Sequence, residues 1–181
     1  MIAREHDIMQ YSWIVNDLDE AARRWHHATG IGPFIVNRHI VTDNPRYRGT
    51  PGGCDLSTAI AQAGSVQVEL VEQHDDAPSC YRDTVPAGTE KMHHAAIVVD
   101  DYDGVVARYA ARGFDVAADG SFAGGRYCYV DTSAAIGHMI EVLETSKPMS
   151  AFFAMIAKSA KDWDGNEETV IRVVSDSRKE S

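Results

Sequence analysis

The chain has 181 residues, 44% of them hydrophobic and 24% charged, the balance expected of a soluble globular protein with its own core and no membrane span. Its formal net charge of -10 argues against nonspecific binding to nucleic acid or an anionic membrane, since both require a basic surface. Three widely spaced cysteines argue against a disulfide framework or a zinc ribbon, and the start "MIAREHD" lacks the layout of a secretory signal. We therefore expect a cytoplasmic protein with reduced thiols.

The first elements along the chain are a strand at about 7–15 and a helix at about 18–29. Asp17 suits the N-cap of this helix, with Glu20 as a capping-box-like partner, and Gly30 suits its left-handed end. Three strands follow in "FIVNRHIV", "CDLSTAIAQ" and "VQVELVEQ", with "TDNPRYRGTPGG" as a loop between the first two. This order defines a first module over residues 1–74.

A polar segment with two prolines, residues 75–91, is predicted to link this module to a second one over residues 92–147. The second module repeats the first, because aligning Gln10 with His94 also pairs Asp17 with Asp101 and Asp19 with Asp103. Its predicted elements are a strand in "HHAAIVVD", a helix at about 102–112 and strands in "FDVAADG", "RYCYVDT" and "HMIEVLE".

The C-terminal segment, residues 148–181, contains an amphipathic pattern in "SAFFAMIAKSAKDW" that predicts a helix packed on the domain or on a second copy of the chain. The predicted fold class is therefore α+β. Two βαβββ modules form a curved mixed sheet around a cavity, and a C-terminal helix is added to it.

The alternation of side-chain direction along the first strand of each module indicates which residues face the cavity. Side chains in a strand point to opposite faces in turn. The apolar residues at positions 9, 11, 13 and 15 form one face of the first strand, so Gln10 points to the other face and into the cavity. By the repeat, His94 is the cavity-facing histidine, and His93 is a core residue on the helix side.

One glutamate interrupts the last strand of each module, Glu69 in the first and Glu141 in the second. A carboxylate inside a strand is costly to bury unless it is paired or binds a metal. If the modules pair into one sheet, Gln10, Glu69, His94 and Glu141 converge. This set suits a divalent metal such as Zn, Ni, Co, Mn or Mg and leaves coordination positions for a substrate. Arg126 and Tyr129 are candidate substrate contacts, with structural packing as the alternative.

At these residues the sequence resembles the vicinal-oxygen-chelate superfamily, over roughly 7–145. The motifs "HHAAIVVDDYDG" and "GHMIEVLE" carry the resemblance together with the internal repeat. Members pair two strand-helix-three-strand modules, commonly around a metal whose ligands lie in the first and last strand of each module.

Within that superfamily the order Gln, Glu, His, Glu is similar to glyoxalase I, whereas "GIGPF" and the double histidine are similar to methylmalonyl-CoA epimerase. Both families polarise a carbonyl with the metal and move a proton from the adjacent carbon. The resemblance implies Glu141 as the base and Glu69 as its counterpart across the metal. It offers no clear second base of the epimerase type, although Asp55 is a substitute for one.

Three hypotheses follow for a small-molecule substrate. The first is a metal-dependent epimerase, isomerase or lyase that acts through an enolate or enediolate, and the second is a glyoxalase I acting on a glutathione hemithioacetal. The third is a metal-free binding protein of the same fold. A homodimer is expected in each case.

Overall fold

The computed structural model describes residues 7–179 and arranges its strands in one curved, open, mixed sheet. The strands are β1 (Ile8–Ile14), β2 (Phe34–Arg38), β3 (Asp43–Tyr47), β4 (Thr50–Pro51), β5 (Leu56–Ala63), β6 (Val66–Gln73), β7 (Lys91–Val99), β8 (Val116–Phe122), β9 (Gly125–Val130), β10 (Met139–Glu144) and β11 (Ile171–Asp176). The helices are α1 (Leu18–Thr29), α2 (Cys80–Thr84), α3 (Tyr102–Ala111), α4 (Ser133–Ile136) and α5 (Lys147–Lys161), followed by a 3-10 turn at Glu167–Thr169.

The order strand, helix, three strands occurs twice, as β1-α1-β2-β5-β6 and as β7-α3-β8-β9-β10. In the sheet the strands lie in the order β11-β2-β5-β6-β1-β7-β10-β9-β8-β3-β4. The first strands of the two repeats, β1 and β7, are antiparallel neighbours at the centre, and each has the last strand of its own repeat on its other side as a parallel partner. The predicted α+β fold class is confirmed.

Helix α1 begins and ends where its sequence signals predict. The side chain of Asp17 accepts a hydrogen bond from the backbone N–H of Glu20 at 2.8 Å, and Gly30 ends the helix with a left-handed φ of 74°. Leu18, Ala21 and Ala22 are buried against the first repeat of the sheet. This face of the sheet is filled by helix, so the cavity of the first repeat lies on the opposite face.

The predicted loop "TDNPRYRGTPGG" is wrong over most of its length, because it contains the β3-β4 hairpin. Strand β3 leaves the first repeat and pairs antiparallel with β8 of the second. Arg46 of β3 pairs with Asp119, and Arg48, in the turn that follows, pairs with both Asp83 and Asp131. Because β3 is stabilised by backbone pairing and ion pairs, its sequence has no alternation of apolar and polar residues. The hydrophobic pattern therefore did not indicate a strand there.

The C-terminal segment forms the predicted helix, α5, and then a strand that was not predicted. Strand β11 runs parallel to β2 at the outer edge of the first repeat. Just before it, Val170 is buried in the core of the first repeat, and Trp163 packs on the same cluster. Residues 171–176 are therefore an edge strand of the sheet.

Two short helices were also not predicted from the sequence: α2 in the predicted linker and α4 before β10. Within residues 7–179 no helix combines the length and the apolar character needed to cross a membrane. The three cysteines, all within this range, are free thiols.

Candidate metal centre

Two rows of paired residues across the centre of the sheet bring the candidate ligands together. In one row Ser12 of β1 is the register partner of Glu69 on β6 and of His94 on β7. In the next row Ala96 of β7 lies between Gln10 of β1 and Glu141 of β10. The residues between the ligands are small, so the longer side chains can meet above them. The repeated register is what makes four residues from four strands converge.

The distances within this group are those of a compact cluster. The His94 Nε2 atom lies 3.2 Å from Glu69 Oε2 and 3.4 Å from Glu141 Oε2. One ligand atom from each of the three residues lies within 4.8 Å of the others. Glu69 and Glu141 keep 8% and 7% of their surface exposed, Gln10 keeps 2% and His94 none. The cluster is therefore buried at the base of the sheet's concave face.

The polar atoms of the cluster are not satisfied by hydrogen bonds within the protein. The Nε2 atoms of Gln10 and His94 are both buried and make no well-aligned hydrogen bond to the described residues, although His94 Nε2 is within ion-pair distance of both carboxylates. Burial lowers the pKa of His94, but the carboxylates of Glu141 and Glu69 raise it by more, to about 9. Two carboxylates, an imidazole and an amide thus face one point, and this donor set fits a divalent metal ion.

His93 determines which nitrogen of His94 faces the carboxylates. The His93 Nε2 atom lies 3.0 Å from the carbonyl oxygen of Cys80, which can only accept, so Nε2–H of His93 is the donor. Burial and the neighbouring His94 lower the pKa of His93 to about 3, so its Nδ1 atom carries no proton. That Nδ1 atom lies 2.9 Å from Nδ1 of His94 and accepts its hydrogen bond. The Nε2 atom of His94 is thereby oriented towards Glu69 and Glu141.

Two tyrosines stand beside the histidines. The hydroxyl of Tyr81 donates to the hydroxyl of Tyr129 over 2.9 Å, and the Tyr129 ring packs against both His93 and His94. Burial raises the pKa of both tyrosines well above the ordinary value, so both phenols stay neutral hydrogen-bonding groups. Tyr81 lies on α2, in the segment predicted as a linker. The one feature of the sequence that indicates helix α2 is Ser79, whose side chain caps the helix by accepting a hydrogen bond from the backbone N–H of Arg82.

A cavity of about 270 Å³ opens above the cluster. Gln10, Glu69 and Glu141 lie at its base together with Tyr81 and Tyr129. Its walls come from both repeats and from α5, which contributes Met149, Phe152 and Phe153. The C-terminal helix therefore closes a cavity as well as packing on the sheet.

The structure separates the remaining candidate residues from this cavity, with the exception of Tyr129. Arg126 lies on the helix-facing side of β9, where it pairs with Glu144 and Asp103 and covers the ring of Tyr102 at 4.4 Å. Asp55 lies just before β5 and takes a hydrogen bond from His39 at 2.8 Å.

Asp55 belongs to a second group of potential ligands with His39 and His74. This group is satisfied within the protein, because Asp55 also pairs with Arg178 and Ser57 bonds the Nε2 atom of His74. It thus lacks the buried nitrogen without a well-aligned hydrogen bond that characterises the central cluster.

A two-repeat βαβββ sheet with an oxygen-rich cluster between its central strands is typical of the vicinal-oxygen-chelate class. Residues 9–130 match the family model of the glyoxalase/bleomycin resistance protein/dioxygenase superfamily, and the chain belongs to this family. The matched range includes Gln10, Glu69 and His94 and ends before Glu141. A comparison with curated proteins gives no match.

Solved structures of several proteins share the fold at low sequence identity. A hypothetical protein from Bacillus halodurans C-125 is 14% identical with a TM-score of 0.61, and the alignment covers 80% of this chain and 97% of that one. Methylmalonyl-CoA epimerase from Mycobacterium tuberculosis is 17% identical with a TM-score of 0.52, over 83% and 97% of the two chains. These likenesses support the fold.

Proposed function

We propose that the protein is a metal-dependent enzyme that removes a proton from the carbon beside a carbonyl group, as an epimerase or isomerase does. The observation that carries this proposal is the meeting of His94 Nε2 with Glu69 and Glu141 at 3.2 and 3.4 Å in a buried cluster. Members of the family are mostly metal-dependent enzymes, and structures of epimerases are among those that share the fold.

In this proposal Gln10, Glu69, His94 and Glu141 hold a divalent ion such as Zn, Ni, Co, Mn or Mg. When bound, the ion supplies Lewis-acid polarisation of the substrate carbonyl, which acidifies the adjacent C–H bond. Glu141 takes the proton from one face of the substrate, and Glu69 delivers a proton to the opposite face; the two exchange roles in the reverse direction. The neutral phenol of Tyr129, which accepts a hydrogen bond from Tyr81, donates one to a substrate oxygen, and the apolar walls exclude water.

The lining of the cavity favours this reaction over that of glyoxalase I. A glutathione hemithioacetal carries two carboxylates, and these need cationic partners when they are buried. Among the described residues that line the cavity there is no lysine or arginine. A metal-free binding protein is less well supported. Binding a small molecule does not require the buried His94 Nε2 atom to lie between two carboxylates, whereas binding a metal ion does require such a donor set.

The test combines metal analysis with solvent deuterium uptake. We expect about one divalent ion per chain after gentle purification, and metal-dependent deuterium uptake beside a ketone or thioester carbonyl. Glu141→Gln should abolish the uptake, whereas Glu144→Gln, three residues along the same strand and on its opposite face, should not. The proposal fails if the protein retains no divalent metal and is not stabilised by added Ni, Co, Zn or Mn.

A further inference from the structure

The walls of the cavity above Glu69 and Glu141 are made of hydrocarbon. Ile60 is the register partner of Glu69 on the neighbouring strand and lies beside it in the lining. Leu143 stands two residues beyond Glu141 on the same face of β10, and Phe152 and Phe153 of α5 complete the enclosure. These two aromatic residues lie on a helix outside the residues 9–130 that match the family model.

The described lining of the cavity contains two carboxylates, Glu69 and Glu141, and no lysine or arginine. Arg46 lines a small adjoining pocket, but its guanidinium already pairs with Asp119 at 2.8 Å. A divalent ion bound by the cluster cancels the charge of Glu69 and Glu141 and leaves none for a carboxylate or phosphate on the substrate. Burying such an anion without a partner is strongly unfavourable. The cavity therefore selects against anionic substrates.

One polar group in the wall is left unsatisfied. The hydroxyl oxygen of Thr58 is buried, has no hydrogen-bond partner among the described residues, and lines the cavity. Thr58 keeps 8% of its surface exposed. It lies two residues from Ile60 on the same face of β5, which is about 7 Å along the strand from the row of Glu69. A ligand oxygen at that distance from the reacting carbonyl would satisfy it.

On the basis of the proposed function, we propose that the substrate is a neutral, largely apolar carbonyl compound of one or two rings. Its carbonyl lies at Glu69 and Glu141, its hydrocarbon body lies against Phe152 and Phe153, and a hydroxyl or second carbonyl oxygen lies near Thr58. The size follows from the volume, since a cavity of roughly 150 Å³ holds one benzene molecule and this one measures about 270 Å³.

Binding to the metal-loaded, full-length protein tests the charge preference directly. The probes are β-tetralone and its ring-carboxylated derivative, with affinities measured by isothermal titration calorimetry. We expect the carboxylated ketone to bind at least about tenfold more weakly. Phe152→Lys should narrow or reverse this ratio by adding a cation to the wall, whereas Phe152→Leu should preserve it. Equal or tighter binding of the carboxylated ketone to the unmodified protein would overturn the proposal, as would no binding of either ketone.

A second pair of probes tests the position of the polar group. Ring-hydroxylated β-tetralone should bind more tightly than β-tetralone, and Thr58→Val should remove this advantage of about threefold to tenfold without weakening the unsubstituted ketone. Thr58→Val keeps the shape of the side chain, so a loss of affinity for both ketones would indicate a packing effect and would count against a hydrogen bond at this site.

Deuterium uptake separates failure of this inference from failure of the proposed function. If the neutral ketones bind with the stated preference but exchange no proton in the presence of metal, the proposed function is wrong and the ligand class stands. If exchange is fastest with the carboxylated ketone, the proposed function stands and the ligand class is wrong.

Discussion

His93 and His94 are joined through their Nδ1 atoms, 2.9 Å apart, although they are adjacent on a strand and lie at right angles to each other. The hydrogen bond links the backbone carbonyl of Cys80 on α2 to the candidate metal ligand through one imidazole. Outer contacts of this kind fix the orientation of a ligating histidine. The double histidine is therefore one ligand and one support, rather than two ligands. The prediction that His93 lies on the helix side is wrong, because a register shift in β7 turns its ring onto the cavity tyrosines Tyr81 and Tyr129.

The first prediction concerns this support. Replacing His93 with phenylalanine removes the acceptor for His94 Nδ1 while it keeps a ring in the core. We expect metal affinity to fall by about 10- to 100-fold. His93→Asn retains an acceptor near the position of Nδ1 and should lose less. Competition with a chelator measures the affinities, and equal losses in the two variants would mean that His93 acts through packing alone.

The second prediction concerns pH. Since the pKa of His94 is raised from its ordinary 6.5 to about 9, its contacts with Glu69 and Glu141 stabilise the metal-free protein fully below pH 6.5, and this contribution is lost as the pH rises through about 9. A metal ion must displace the Nε2 proton, so its affinity should fall about tenfold for each pH unit below 9.

Thermal unfolding with and without metal measures this effect. The increase in Tm on adding metal should be larger at the alkaline end of the range than at the acid end. Calorimetry in buffers of different ionisation enthalpy should detect proton release on binding. An affinity that does not change with pH would show that His94 is neutral before metal binds.

The third prediction concerns the motif "GIGPF". A Cβ atom added at Gly32 would lie 2.5 Å from Cζ3 of Trp163, which packs on the core of the first repeat. Gly32→Ala should therefore lower the free energy of unfolding by about 1 to 3 kcal/mol, through overpacking. In a Trp163→Ala background the same substitution should cost much less. Denaturant unfolding of the four proteins gives the comparison, and an unchanged cost in that background would assign the effect to the backbone.

The fourth prediction concerns Arg126. Its ion pairs with Glu144 and Asp103 lie on the helix-facing side of β9 and are partly exposed to solvent. Arg126→Met should cost less than about 1 kcal/mol of stability and leave ligand affinity unchanged. Tyr129→Phe, on the cavity side, should weaken ligand binding because it removes a hydroxyl from the polar end of the cavity. If Arg126→Met reduced ligand affinity as much as Tyr129→Phe, the assignment of faces would be wrong.

The sequence indicates those features that depend on local chemistry or on the internal repeat. Asp17 and Gly30 define α1 because capping and left-handed backbone are local properties. The placement of His94 on the same face of the sheet as Gln10 follows from the repeat and from alternation. The meeting of Glu69 and Glu141 with them needs only the assumption that equivalent strands pair.

Features that depend on distant partners were not accessible in this way. The pairing of β3 with β8 joins segments far apart in the chain and leaves no apolar pattern. Alternation places Arg126 and Tyr129 on opposite faces of β9 but does not say which face is inward. The contact of Tyr81 with Tyr129 requires α2 to fold over the strands, and a short helix in a polar segment gives little periodic signal.

Each half of the sheet has at its outer edge a strand from elsewhere in the chain. Strand β3 of the first half pairs with β8 of the second, and β11, which follows the second half, pairs with β2 of the first. Neither half is a complete sheet when it is cut from the other, since each would expose an edge that its counterpart now covers. The two halves are thus joined by strand pairing at both outer edges. Separating them would break the backbone hydrogen bonds of β3 with β8 and of β11 with β2.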